Sequence, residues 1–382
     1  MRIVAARTTV VGTPWRELTF LELESDAGHV GLGEVRMVNK TETLLACIRE
    51  LAPRYVIGCD PFDVERLAWN VGVADYGRPG EVVQSALAAF DLACWDIIGQ
   101  ELGVPLWKLL GGRFRDRVGA YANGWYQTER EPQAMADAAK AVVERGYRAL
   151  KLDPFGAAVG RLGRDEFRRT IAIVTAVREA IGPDTELMIE MHGRFTPAAA
   201  TQLAHALAEL DPAWLEEPIP PENPAALRRL RDATGLPIAT GERVHTLGGF
   251  RELIEGGCVD ILQADLTHFG GFLPMKALAA WAGVYYLEVA PHNVCGPVGT
   301  AANLHLAAVT PNHRVLEHFN DFADAWVHDL VDQPPRVSAV DGCFALPERP
   351  GLGVRLDHDV AAAHPPTGGT IRLFERGWEQ RR

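Results

Sequence analysis

The sequence has little cysteine and no pair of cysteines at the spacing of a metal or redox motif. The six thiols lie far apart, at Cys47, Cys59, Cys94, Cys258, Cys295 and Cys343. This pattern is typical of reduced, mostly buried thiols in a cytosol, and it excludes a disulfide framework or a cysteine zinc site. The apolar runs are too short to cross a bilayer, and the N-terminus MRIVAARTTV lacks the apolar core of a signal peptide. We therefore expect a cytoplasmic protein.

Positive charge is also in deficit. The 38 Lys and Arg residues stand against 50 Asp and Glu residues, which gives a formal net charge of -12 at pH 7. An acidic surface repels the phosphates of nucleic acids and of anionic membranes. Neither is expected as a partner, and an anionic small molecule would need a local cation in its binding site.

The 382 residues, of which 47% are hydrophobic, suffice for two domains. In the first, residues 1–117, the segment LTFLELESDAGHVGLGEV predicts two strands joined by a turn at its Asp-Ala-Gly. Apolar residues then recur at helical spacing in VVQSALAAFDLACWDIIGQELG, where Gly103 marks the end of the helix. We therefore predict an α+β domain that ends near the turn sequence LLGGR.

Residues 118–324 alternate short apolar runs with longer helix-like stretches. The runs are VGAYANGW, ALKLDP, ELMIEMHG, AWLEEP, PIATGE, DILQAD, YLEVAPH and RVLEHF. Eight such pairs predict an α/β fold in which a parallel sheet closes into a (β/α)8 barrel. A doubly wound open sheet is the alternative, but no GxGxxG turn follows an early strand. Residues 325–382 are rich in proline and glycine, and we expect them to return to the first domain.

Three glutamates follow consecutive apolar runs at equal spacing. Glu190 in MIEMHG, Glu216 in WLEEP and Glu242 in ATGER are 26 residues apart, so one βα unit would bring each to the same height on adjacent strands. These strand ends form the mouth of such a barrel. Converging carboxylates repel one another unless a cation joins them, and oxygen ligands with open positions favour Mg²⁺. Helix caps or separate salt bridges are the alternative for each glutamate.

Two histidines lie at further strand ends. His292 in VAPHN follows the seventh run and Asp265 in LQADL follows the sixth, and an aspartate bonded to a histidine makes the imidazole a better base. His192 lies two residues after Glu190 on the same face of its strand, and it is a candidate proton donor. Glu317 in VLEHF ends the eighth run and, if protonated, would hydrogen-bond an anionic intermediate. A structural role is the alternative for each histidine, and a simple surface carboxylate is the alternative for Glu317.

Lys151 and Asp153 in KLDPF end the second run on one face. Lys151 is the local cation that an acidic protein needs beside an anionic substrate, and a salt bridge to Asp153 is its alternative role. We also expect the substrate to contact Asp153 and Arg194, which follows His192 by two residues.

Several motifs together resemble the enolase superfamily, and within it the mandelate racemase/muconate lactonizing enzyme-like subgroup. They are ALAAFDLACWDIIGQELGVPLWKLLGG, WLEEP, GER, LQADLTHFGG, APHNVCGP and PGLGV, and they span essentially the whole chain. EMHGRF is similar to the third-strand motif of galactonate and gluconate dehydratases, whose histidine acts as an acid. That group commonly has aspartate where Glu190 stands, and racemases have Lys-x-Lys where this chain has Lys151-x-Asp153. The second base of a racemase is therefore not expected.

The resemblance implies a modified (β/α)8 barrel with an α+β capping domain, which dehydrates an aldonate such as D-gluconate or D-galactonate to a 2-keto-3-deoxy acid. The three glutamates would bind Mg²⁺. His292, oriented by Asp265, would remove the C2 proton, and His192 would protonate the departing 3-hydroxyl. Glu317 and Lys151 would stabilise the enediolate by hydrogen bonds.

In this family, loops of the capping domain select the substrate, which implies Trp15, Arg16 and Tyr76 as substrate contacts. Members are usually homo-oligomers, from dimers to octamers. The alternative enzyme is a cycloisomerase or epimerase of a sugar acid, lactone or anhydro sugar acid, with Lys151 or His292 as base. A non-catalytic sugar-acid-binding protein is the alternative outside enzymes, although it would have no use for a base paired with an aspartate.

Overall fold

The structure is a computed structural model that describes residues 1–14, 16–368 and 370–378. The chain begins with an antiparallel sheet of β1 (Ile3–Gly12), β2 (Glu17–Ser25) and β3 (Val30–Val35). The predicted turn joins β2 to β3. Strand β1 is absent from the prediction because its sequence, IVAARTTVVG, mixes arginine and threonine into the apolar residues and leaves much of the strand exposed, which weakens the alternation.

Helices α1 (Thr41–Leu51), α2 (Val64–Ala74), α3 (Glu81–Leu102) and α4 (Leu106–Leu109) complete this capping domain. The predicted long helix is α3, and Gly103 ends it in the left-handed conformation, with φ 67°. Helix α3 packs so closely on β3 that a Cβ atom added at Gly31 would lie only 1.9 Å from the carbonyl oxygen of Ala93. By length and a mean hydropathy of 1.4, α3 resembles a membrane span, but 78% of that apolar window is buried inside the protein.

Each of the eight predicted runs contains one strand of a parallel sheet. The strands are β4 (Arg117–Ala122), β5 (Ala149–Leu152), β6 (Glu186–Glu190), β7 (Trp214–Glu216), β8 (Ile238–Thr240), β9 (Ile261–Leu262), β10 (Glu288–Val289) and β11 (Leu316–His318). They lie side by side in chain order from β4 to β10, and β11 pairs with β4 on its other side. A parallel bridge joins Val289 of β10 to His313, which precedes β11. The sheet is therefore strongly curled.

Helices alternate with these strands. They are α5 (Pro132–Glu144), α6 (Arg164–Ile181), α7 (Pro197–Leu207), α8 (Pro224–Thr234), α9 (Leu247–Glu255), α10 (Phe272–Val284) and α11 (Pro297–Val309). Proline opens α5, α7, α8 and α11, where its missing N–H leaves no hydrogen bond unmade.

Apolar side chains fill the inside of the curled sheet below its carboxyl ends. Tyr121, Met188 and Trp214 belong to this buried cluster. Met188 precedes Glu190 by two residues, and Trp214 precedes Glu216 by two, so strand alternation places each carboxylate on the same face, one step nearer the mouth. The carboxylates therefore rest on an apolar floor.

The residues after 324 contact both parts of the protein. Strand β12 (Cys343–Ala345) pairs antiparallel with β4, and α12 (His358–Ala363) follows. The carbonyl oxygen of His364 then accepts a hydrogen bond of 3.0 Å from the N–H of Gly12 in the capping domain. The C-terminal residues therefore contact both the curled sheet and the capping domain. All six cysteines are free thiols, as expected.

Candidate active site

The three equally spaced glutamates converge at the carboxyl ends of β6, β7 and β8. One carboxylate oxygen of each lies within 4.8 Å of the other two. Glu190 and Glu216 are register partners on β6 and β7, as the spacing predicts. The prediction that all three carboxylates lie at the same height is wrong for Glu242, which reaches the group from the loop after β8. The cluster is therefore built from two buried strand ends and one loop.

Lys151 of β5 is the counter-charge of this cluster. Its ammonium nitrogen lies 3.1 Å from Glu190 Oε2, 2.5 Å from Glu216 Oε1 and 2.9 Å from Glu317 Oε1. Burial lowers the pKa of Lys151, but the three carboxylates outweigh it and hold the pKa well above its ordinary value. Lys151 is therefore a cation, and the salt bridge to Asp153 expected as its alternative role is wrong.

A single lysine does not balance the carboxylates around it. Burial and the neighbouring charge of Glu190 raise the pKa of Glu216 to about 8. Its Oε2 also accepts hydrogen bonds from Trp214 Nε1 at 2.9 Å and Gln263 Nε2 at 2.7 Å, so the group is fixed in place. Fixed, crowded carboxylate oxygens with excess negative charge form the donor set that a hard divalent cation prefers.

His292 and Asp265 form a hydrogen-bonded pair on one side of the cluster. His292 Nδ1 lies 2.7 Å from Asp265 Oδ2, and its Nε2 lies 3.1 Å from Glu242 Oε2. The other oxygen of Asp265 accepts from the N–H and the hydroxyl of Thr267 at 2.8 and 2.7 Å. Burial lowers the pKa of His292, but Glu242 and Asp265 outweigh it and raise the pKa to about 9.

His192 forms a second pair, with Asp153, on another side of the cluster. His192 Nδ1 lies 2.6 Å from Asp153 Oδ2, and Arg194 Nη2 donates to Asp153 Oδ1 at 2.6 Å. The backbone N–H of His192 donates to Glu190 Oε1 at 2.7 Å. His192 has a left-handed φ of 49°, a conformation uncommon outside glycine that turns the chain sharply after Glu190. Asp153, which was expected to contact the substrate, thus bonds to His192. Arg194, for which the same was expected, bonds to Asp153.

Glu317 is held as a carboxylate. Its Oε1 accepts from Asn123 Nδ2 at 2.7 Å, and its Oε2 accepts from the N–H of Asn293 at 2.8 Å. Burial raises its pKa, but Lys151 and His292 outweigh burial and lower the pKa to about 2. The role expected from the sequence requires the protonated form, and this environment favours the opposite one.

The expected substrate contacts of the capping domain are placed differently from one another. Arg16 is buried, donates to Asn320 Oδ1 at 3.0 Å and lies 4.3 Å from the ring centre of Phe319. It borders a cavity of about 840 Å³ between the capping domain and the C-terminal residues. Tyr76 is fully exposed. Trp15 lies outside the described residues.

Sequence reasoning missed several contributors to the site, among them Gln263, Asn123 and Trp378. Gln263 precedes Asp265 by two residues, so strand alternation would have indicated it. Asn123 follows β4, whose end carries no charged residue to attract attention. Trp378 lies 5.4 Å, ring centre to ring centre, from His192, and nothing local marks it because the contact joins residues far apart in the chain.

Comparison with known proteins places this geometry in a family. Residues 2–111 match the "Mandelate racemase / muconate lactonizing enzyme, N-terminal domain", and residues 134–360 match "Enolase C-terminal domain-like". A D-gluconate dehydratase of Thermoproteus tenax is 38% identical over 87% of this chain and 67% of its own length. A D-xylonate dehydratase of Haloferax volcanii is 35% identical over 97% of this chain and 90% of its own length.

The solved structures show the same similarity in three dimensions. A mandelate racemase/muconate lactonizing enzyme from Sulfitobacter superposes with a TM-score of 0.90 at 32% sequence identity, covering 97% of this chain and 96% of that one. The similarity therefore extends over the capping domain, the curled parallel sheet and the C-terminal residues together.

Proposed function

Because the chain belongs to the mandelate racemase/muconate lactonizing enzyme family of the enolase superfamily, we propose that it is a magnesium-dependent hydro-lyase that dehydrates an aldonate such as D-gluconate or D-galactonate. The observation that carries this proposal is the presence of two aspartate-bonded histidines beside one carboxylate cluster. His192 lies next to Glu190, and His292 lies next to Glu242. Dehydration needs two such groups, since one proton leaves C2 and another joins the departing hydroxyl.

The carboxylate cluster fits a magnesium ion. Glu190, Glu216 and Glu242 would hold it, because they supply only oxygen atoms that lie close together, and burial with the charge of Glu190 raises the pKa of Glu216. When bound, the ion supplies charge stabilisation for the substrate carboxylate and for the negative charge that develops beside it. Removal of divalent ions with EDTA should abolish activity, and Mg²⁺ should restore it. Full activity in the chelated protein would contradict this assignment.

The residues of the chain then divide the reaction between them. His292 Nε2 removes the proton from C2, which leaves an enediolate, while Asp265 holds the ring and balances its new charge. His192 Nε2 gives a proton to the 3-hydroxyl, the C3–O bond breaks, and water leaves. The enol tautomerises to the 2-keto-3-deoxy acid. Lys151 is a fixed cation that offsets the accumulated negative charge at the enediolate.

The positions of the remaining residues argue against epimerisation. An epimerase needs a second base on the other face of the substrate, and Lys-x-Lys would supply it. Here Asp153 stands at that position and is engaged by His192 and Arg194. Lys151 keeps its proton among three carboxylates. The geometry supports one base and one acid, which is the requirement of dehydration.

We also infer several properties that accompany this function. The eight parallel strands close into a barrel, with domains at 1–117 and 118–324 and a C-terminal part at 325–382. The protein acts in the cytoplasm as a homo-oligomer, between a dimer and an octamer, on a small-molecule sugar acid and not on nucleic acid or membrane. Sedimentation of the purified protein tests the oligomer.

A substrate panel tests the activity itself. Purified protein with Mg²⁺ is incubated with D-gluconate, D-galactonate, D-xylonate and other mono- and diacid sugars, and keto product is detected with semicarbazide. NMR then separates the outcomes, since dehydration gives a 2-keto-3-deoxy acid whereas epimerisation or cycloisomerisation gives an isomer of the substrate. An isomer, or no turnover and no C2 exchange with any acid, would contradict the proposal.

A further inference from the structure

The C-terminal segment, residues 370–378, crosses from the capping domain to the mouth of the curled sheet. At its start, the side chain of Asn39 donates to the carbonyl of Ile371 at 2.9 Å and accepts from the N–H of Ile371 at 2.7 Å. At its end, Trp378 Nε1 donates to the carbonyl of Gly156 at 2.9 Å, in the loop after β5. The segment is thus fixed at both ends to different parts of the protein.

Two aromatic rings of this segment cover the second aspartate–histidine pair. The ring centres of Trp378 and Phe374 lie 5.4 and 5.9 Å from that of His192. The same rings lie over the guanidinium of Arg194, at 5.8 and 4.5 Å from its central carbon. Phe374 also packs edge-on against Trp378, with ring centres 5.3 Å apart. His192 is therefore bounded by Asp153 at Nδ1 and by aromatic rings at its sides.

Trp378 also borders the cavity of about 840 Å³ whose other side includes Thr13 and Arg16 of the capping domain. That size suits a small ligand. None of the glutamates or histidines of the active site lines this cavity, so Trp378 stands between it and the histidine proposed as proton donor. The indole N–H is already bonded to Gly156, so the ring is held in one orientation and presents a rigid, mostly apolar surface.

We propose that Trp378, supported by Phe374, is a specificity-determining residue that forms the wall of the active site on the His192 side. This inference rests on the proposed dehydratase function. The wall limits how the carbon chain beyond C3 is placed, and so decides which sugar acids bring their 3-hydroxyl to His192. Acids that differ by one hydroxymethylene unit, such as five-carbon and six-carbon aldonates, are the substrates that such a wall separates.

The test compares Trp378→Ala and Trp378→Leu with wild type on D-xylonate, D-gluconate and D-galactonate. We expect the ratio of kcat/KM between five-carbon and six-carbon acids to change by about ten-fold or more, as expected from altered apolar contacts with a substrate. Elimination should fall more than C2 hydrogen exchange, because the wall touches His192 and not His292. Trp378→Phe should restore part of the ratio, and Leu373→Ala, an exposed neighbour in the same segment, should match wild type. An equal loss on every acid and in both steps would overturn the proposal.

A second measurement does not depend on activity. Diethyl pyrocarbonate carbethoxylates accessible imidazoles, and peptide mass spectrometry reports the rate at His192. We expect modification of His192 to be faster in Trp378→Ala and Trp378→Leu, with unchanged rates at the exposed His358. If wild type dehydrates no acid, the proposed function fails, and the modification rate alone then tests whether Trp378 covers His192. Equal rates in wild type and both variants would overturn it.

Discussion

Two aspartate–histidine pairs stand at the carboxyl ends of the strands, and they differ mainly in what surrounds them. The Nδ1 to carboxylate distances are nearly equal, 2.7 Å in Asp265–His292 and 2.6 Å in Asp153–His192. His292 has Glu242 3.1 Å from its Nε2. His192 instead has the ring of Trp378 beside it. An aspartate partner therefore fixes the orientation of an imidazole without deciding its role.

The second oxygen of each aspartate reinforces the difference. Asp265 gives that oxygen to the neutral donors of Thr267, while its Oδ2 faces His292 and helps to raise the pKa of the imidazole. Asp153 shares its charge with Arg194. Burial, with Arg194 in support, keeps the pKa of His192 below its ordinary value despite Asp153. The pKa of one imidazole is thus raised and that of the other is lowered.

Replacement of the two histidines should break the comparison most strongly. His292→Asn should lower both C2 hydrogen exchange and dehydration by about 10⁴-fold, because it removes the base assigned to that proton. His192→Asn should lower dehydration by about 10²- to 10⁴-fold yet retain exchange. Deuterium incorporation at C2 in D₂O, followed by NMR, measures one step, and keto product measures the other. His358→Asn, at an exposed position, is the control. Undiminished exchange in His292→Asn would exclude it as the base.

Replacement of the two aspartates should sharpen the comparison with a smaller effect. Asp265→Asn and Asp153→Asn keep the size of the side chain but remove the charge behind each imidazole, and each should cost about 10- to 100-fold. The loss in Asp265→Asn should be seen in exchange and dehydration alike. The loss in Asp153→Asn should fall on dehydration, with exchange nearly unchanged. If both variants lose exchange equally, the two pairs do not have separate roles.

The strand ends of the site could be predicted from the sequence because a parallel strand delivers its last residues to one edge. The spacing of Glu190 and Glu216 and the alternation of His192 followed from that rule alone. The rule fails for groups that lie in loops, so the height predicted for Glu242 was wrong. It is also silent about partners, since a strand position does not say which neighbour a charge meets. The sequence therefore left a pairing of Lys151 with Asp153 open, whereas in the structure Lys151 pairs with three glutamates.

Contacts between distant parts of the chain were the least predictable. Trp378 lies 186 positions after His192, and no periodicity or motif connects them. Strand β1 was missed for a different reason, since it lies in the sheet of the capping domain with much of its length exposed and so lacks a clear apolar face. Local pattern thus predicts elements and their ends, whereas tertiary packing decides which side chains meet.

A third histidine provides a structural reference for the two pairs, with the smallest expected effect. His305 of α11 is buried, and its Nδ1 accepts from the N–H of Trp107 at 3.2 Å while its Nε2 donates to the carbonyl of Leu352 at 3.1 Å. The two bonds exist together only in the neutral ring, because a protonated Nδ1 cannot accept from Trp107. Burial accordingly lowers the pKa of His305 to about 4 from its ordinary value of 6.5.

The stability that His305 contributes should therefore depend on pH in one direction. The unfolded chain binds the proton more tightly, so the contribution is complete above pH 6.5 and is lost as the pH falls through 4, with about 2 kcal/mol lost by pH 5. His305→Gln can make both hydrogen bonds without titrating. Unfolding in urea at pH 7, 6 and 5 measures the free energy of unfolding of wild type and of His305→Gln. Between pH 7 and pH 5, wild type should lose that amount of stability relative to the variant. Parallel profiles would mean that His305 is protonated as readily in the folded protein as in the unfolded chain. Burial would then not lower the pKa of an imidazole, even one that has no aspartate partner and lies outside an active site.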